Sequence, residues 1–98
     1  MIKWALFFDA PEVDPAVDRM VIERGGMRST IIAVPDPEVA VQLSVDLVAD
    51  GVQFIELCGA FTPVIAAKII EATGGKIPVG IVGYSGGQTM QALAKIFS

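Results

Sequence analysis

The strongest constraint on the fold is a rhythm of short apolar runs, each stopped by proline or glycine. IKWALFF (2–8) ends at Asp9-Ala10-Pro11, STIIAV (29–34) at Pro35, VQFIELC (52–58) at Gly59, and IPVGIV (77–82) at Gly83. Runs this short, rich in Val, Ile and Phe, read as strands rather than helices. Their near-continuous apolar character is what a parallel sheet covered on both faces requires.

Between the runs lie segments with helical signals. Residues 15–23 predict a first helix, with Val13, Val17, Met20, Val21 and Arg24 lining one face and Gly25-Gly26 as the stop. Residues 37–49 predict a second, with Asp36 as the cap and Pro37 in the first turn. Val39, Ala40, Val41, Leu43, Val45, Leu47 and Val48 make that helix apolar nearly all round, so it needs cover on more than one side, from a second subunit or from the sheet and a neighbouring helix. A third helix starts at Thr62-Pro63, packs through Val64, Ile65, Ile69 and Ile70, and stops at Gly74-Gly75. The last covers residues 88–97, with Met90, Leu93, Ala94 and Phe97 on one stripe.

Four strand–helix (βα) units joined by short turns imply right-handed crossovers and a parallel sheet with flanking helices. Two arrangements satisfy the pattern. One is an open, flavodoxin-like or Rossmann-like sheet with helices on both faces. The alternative is a half (β/α) barrel, with its helices outside and its inner face buried against a second copy. In both, residues 1–98 form a single α/β domain.

Composition bears on assembly. Of the 98 residues, 53% are hydrophobic and 18% charged, where an average domain carries roughly 25% charged residues. A small domain has much surface for its volume and needs more polar residues, not fewer. The deficit predicts a homo-oligomer. The net charge of -4 and the absence of any Lys/Arg cluster argue against nucleic acid as a partner. No apolar stretch approaches the roughly 20 residues of a membrane helix. MIKWALFFDAPE makes a poor secretory leader, because its apolar run breaks at Asp9. Cys58 is the single cysteine, which excludes an intramolecular disulfide. These readings predict a cytoplasmic protein with no membrane partner.

In parallel α/β folds ligands collect at the carboxyl ends of the strands. Those ends carry Asp9, Asp36, Glu56 with Cys58 and Gly59, and Tyr84 with Ser85, Gly86 and Gly87. Glu56 stands out as a carboxylate inside an apolar strand, where burial is costly without a partner. Three accounts compete. Glu56 is bonded to backbone or to a cation such as Lys3 or Arg28; it is paired across a subunit interface; or it is a catalytic acid/base in a cleft. Cys58, on the same strand face, is a candidate catalytic thiol, although the chain has no histidine to activate it. GYSGGQT (83–89) opens a helix and offers Ser85, Gly86 and Gly87 to an anion, with Asp9, Gly59 and Tyr84 lining the mouth. It lacks the lysine of a P-loop and the dinucleotide fingerprint. Asp9, Asp36 and Glu56 are oxygen donors suited to Mg²⁺, but Asp36 is better used as a helix cap, so neither a metal nor a cofactor is expected.

ELCGAF (56–61) and GGKIPVG (74–80), with Ala10-Pro11-Glu12 and the turn Val34-Pro35-Asp36, resemble a family of short bacterial proteins of unknown function. The resemblance implies a small bacterial α/β protein in which Glu56, Cys58 and Gly59 are motif positions. It implies no substrate. The residues themselves favour an α/β protein that binds a small, anionic molecule, with Glu56 as acid/base if it is an enzyme. The rival is a non-catalytic homo-oligomeric module, structural or regulatory.

Overall fold

The computed structural model describes residues 1–98 and contains five strands and three helices. In chain order they are β1 (Ile2–Asp9), β2 (Arg19–Arg24), β3 (Met27–Val34), α1 (Val39–Ala49), β4 (Phe54–Cys58), α2 (Pro63–Ala72), β5 (Val79–Ile81) and α3 (Gly87–Ile96). The strands form one sheet in the order β2-β3-β1-β4-β5. β3, β1, β4 and β5 run parallel, whereas β2 pairs antiparallel with β3.

The predicted architecture of four parallel βα units is therefore wrong, whether as an open sheet or a half barrel. The error lies at residues 15–23, expected to be helical. Residues 14–18 make only one turn, in which Asp14 Oδ1 accepts from the Ala16 N–H at 3.0 Å and the Asp14 carbonyl accepts from Asp18. Arg19 to Arg24 then extend as a strand. Gly25-Gly26 is not a helix stop but the tip of a two-residue hairpin, with φ of 61° and 77°. Positive φ at both central residues gives the turn a twist that suits paired strands.

The two crossovers place α1 and α2 side by side on one face of the sheet. That face supplies the core: Ala5 and Phe7 from β1, Ile32 and Val34 from β3, Ile55 and Leu57 from β4, closed by Ala40, Phe61, Ala66 and Ile69. The apolar surplus of α1 is used here, because Leu43, Leu47 and Val48 are partly buried against this core. Lys68 on α2 reaches both carboxylate oxygens of Glu38, just before α1, at 3.1 Å. Thr62 caps α2 as expected, its Oγ1 accepting from the Ile65 N–H at 3.3 Å, with Pro63 in the first turn. Asp36, the expected cap, instead accepts from the Glu38 N–H at 2.9 Å in the preceding turn; α1 starts at Val39, and its cap residue Glu38 makes no side-chain cap bond.

No helix covers the opposite face of the sheet. Side chains alternate along a strand, and residues paired across strands point the same way. The register therefore puts Met20, Ile22 and Arg24 (β2), Met27, Ser29, Ile31 and Ala33 (β3), Trp4, Leu6 and Phe8 (β1), and Phe54, Glu56 and Cys58 (β4) on this open face. α3 has no buried residue; its apolar stripe leaves Met90 and Phe97 exposed. No helix is long and apolar enough to cross a membrane.

Candidate functional site

The sequence-selected residues fall into two places. The first is a cavity of about 480 Å³ beyond the carboxyl ends of the strands. Asp9 closes β1, Gly59 and Ala60 follow β4, Tyr84 follows β5, and Pro11, Leu93 and Phe97 complete the wall. β1 and β4 are neighbours in the sheet, so Asp9 and Gly59 meet at their ends. The Asp9 carboxylate accepts the Ala60 N–H at 2.8 Å through Oδ1. Gly59 has a φ of 89°, and a Cβ there would overlap Asp9 Oδ1. Only glycine serves on both counts, since other L-residues are strained at this φ and none lacks a Cβ. Asp9 Oδ2 makes no hydrogen bond within the chain.

Ser85, Gly86 and Gly87 lead from Tyr84 into α3, are exposed, and do not line the cavity. Gly86 precedes the helix with a φ of 85° and supplies no side-chain cap. Thr89 Oγ1 folds back onto the carbonyls of Ser85 and Gly86, which fixes this turn.

The second place is the open sheet face. Glu56 lies between Leu6 on β1 and Gly80 on β5, with Phe54 and Cys58 before and after it on the same face. It is partly buried and has no hydrogen bond or ion pair within the chain. The suggested cations are engaged elsewhere: Lys3 Nζ donates to the Asp50 carbonyl at 3.1 Å, and Arg28 pairs with Glu23 at 2.5 Å. Cys58 is partly buried and beside Phe8. Around Glu56 the face is aromatic and aliphatic. Trp4 stacks on Phe54 with ring centroids 5.4 Å apart and planes at 11°, and its Nε1 donates to Ser29 Oγ at 2.6 Å.

The strands thus separate what the sequence grouped. Asp9, Gly59 and Tyr84 share the strand-end cavity, while Glu56 and Cys58 share the open face. Asp9 and Glu56 are of opposite parity in the register, since Leu6 pairs with Glu56, so their side chains leave the sheet on opposite sides. Asp36 joins neither group, and no three His, Cys, Asp or Glu side chains gather as metal ligands. Pro11, Ala60, Leu93 and Phe97 were not selected from sequence; for Leu93 and Phe97 the signal was the apolar stripe of the last helix. A hollow of about 390 Å³ on the open face, walled by Phe8, Val13, Met20, Ile31 and Ala33 with Asp18 and Arg19, depends on β2 and could not be foreseen from a helix at that position.

No curated protein and no solved structure matches the chain. A family model does match, over residues 2–97, and the chain belongs to that family, DUF6506, a family of unknown function.

Proposed function

We propose that the protein binds a small molecule in the strand-end cavity and works as a homo-oligomer in the bacterial cytoplasm. The observation that carries the reading is the Asp9–Gly59 contact. A carboxylate held by a backbone N–H, against a glycine that nothing else can replace, forms the floor of a cavity at the strand ends. Ligand sites of parallel α/β sheets lie at such ends. Pro11, Leu93 and Phe97 suit an apolar body, and Tyr84 adds a phenol. Asp9 suits a hydrogen-bond donor or a positive charge.

Titrating labelled protein with phenethylamine, phenylacetate and phenylalanine, with amide chemical shifts as readout, tests this. The amine and the amino acid are expected to move Asp9, Gly59, Ala60 and Tyr84, and Asp9→Ala to abolish the effect. Binding of phenylacetate alone, or shifts remote from these residues, would contradict it.

A second reading makes Glu56 an acid/base and Cys58 a thiol in an active site on the open face. The unpartnered Glu56 carboxylate favours it. That face is not enclosed in one chain, so this chemistry needs a second subunit to exclude water.

A further inference from the structure

We infer that the open sheet face is the interface of a twofold homodimer, in which Glu56 of each subunit is met by Arg24 of the other. The inference rests on the homo-oligomer reading above and names the surface and the contact.

The amount of exposed surface points to a partner. A compact monomer of 10.3 kDa exposes about 5,350 Å². This chain exposes 6220 Å². The surplus, roughly 900 Å² shared between the uncovered sheet face and α3, is of the order of what one partner contributes to a standard interface, about 800 Å². The radius of gyration agrees: it is 14.0 Å, against about 12.6 Å for a compact chain of this length. The uncovered sheet and the loosely attached α3 account for the excess.

The chemistry of the face points to a second copy. Ile2, Trp4, Leu6, Phe8, Ile31 and Phe54 make it apolar across three strands, with Met20 and Ile22 extending it onto β2. Two of its strand side chains are charged, and they have opposite signs. Arg24 lies opposite Met27 at the β2 end of the face, and Glu56 lies opposite Leu6 on β4. Neither has an ion-pair partner within the chain. Within its strands the face carries one free cation and one free anion and is complementary to itself; Asp18 and Arg19 add one charge of each sign at the rim, beside Phe8 and Met20.

The geometry fits a known packing class. With strands about 4.8 Å apart and about 3.3 Å per residue, Arg24 and Glu56 stand about 20 Å apart along a diagonal of the sheet. A twofold axis between the sheets that exchanges them bisects this diagonal near Trp4 and Ser29. The strands of the two sheets then cross at about 90°, the orthogonal arrangement of stacked sheets. Trp4, stacked on Phe54, sits at the centre, where aromatic anchors contribute most to association.

Light scattering at tens of micromolar, with far-ultraviolet circular dichroism as the folding control, tests the assignment. Wild type is expected at twice 10.3 kDa. R24E and E56R should each weaken association by about tenfold or more, and R24E/E56R should restore most of the loss. Leu6→Lys should give a folded monomer, and Phe97→Lys should leave the dimer intact. A wild-type monomer would overturn both the homo-oligomer reading and this inference. A dimer that survives Leu6→Lys places the interface elsewhere and overturns the inference alone. Additive losses in the double exchange would overturn the Arg24–Glu56 contact.

Discussion

At the scale of the residue, Asp9 Oδ1 accepts the Ala60 N–H at 2.8 Å and leaves no room for a Cβ at position 59. Gly59 reads as a strand terminator, and it is one, but its φ of 89° and its contact with Asp9 are invisible without the pairing of β1 and β4. Glu56 reads as a carboxylate in need of a partner. Placing it on an open face removes the need for the expected backbone, Lys3 or Arg28 partner, because the side chain is only partly buried and both cations are engaged elsewhere. Gly59→Ala is expected to destabilise the fold by about 2 kcal/mol or more, since it adds left-handed strain to a clash with Asp9. A thermal melt should show this as a fall of roughly 10 °C. Asp9→Asn keeps the acceptor for the Ala60 N–H, whereas Asp9→Ala removes it at a cost of about 1 kcal/mol. A ranking of Asp9→Ala as the milder change in urea unfolding would contradict that role.

At the scale of the element, the legible parts were those whose local signals agree with one another. Thr62-Pro63 gives a helix start that the structure keeps, and the apolar runs ending at Asp9, Val34 and Cys58 are strands. The illegible part was RMVIER (19–24), where two periods coexist. Val17, Met20, Val21 and Arg24 satisfy a helical spacing, and Met20, Ile22 and Arg24 satisfy alternation. Pairing with β3 decides between them, and that contact is non-local. Gly25-Gly26 was the available clue, because a two-glycine turn between β-branched runs favours a hairpin. Replacing it with Asn-Gly should leave stability nearly unchanged, while Ala-Ala should cost about 2 kcal/mol through two left-handed residues. Equal urea midpoints for the two variants would refute the turn assignment. Thr62→Ala should cost about 1 kcal/mol, measured the same way, through loss of the α2 cap.

At the scale of the whole molecule, composition anticipated what the topology explains. A chain with 18% charged residues and mean hydropathy of +0.62 has more apolar surface than one small core can bury. The one-sided packing of α1 and α2 shows where the excess goes: onto the other face of the sheet, around Trp4, Leu6, Ile31 and Phe54. No periodicity in the sequence distinguishes that face from the covered one, because both are apolar. Only the two crossovers, on the same side, set them apart. The strand-end cavity and the open face are separate, so ligand binding and assembly should respond independently to Asp9→Ala and Leu6→Lys. The most direct test uses Trp4, the only tryptophan of the chain, at the centre of the open face. If two copies close on each other there, its emission should move to the blue and resist acrylamide as protein concentration rises. On dilution it should return to the red and become quenchable. A spectrum independent of concentration, with Trp4 freely quenched throughout, would contradict burial of this face in a dimer.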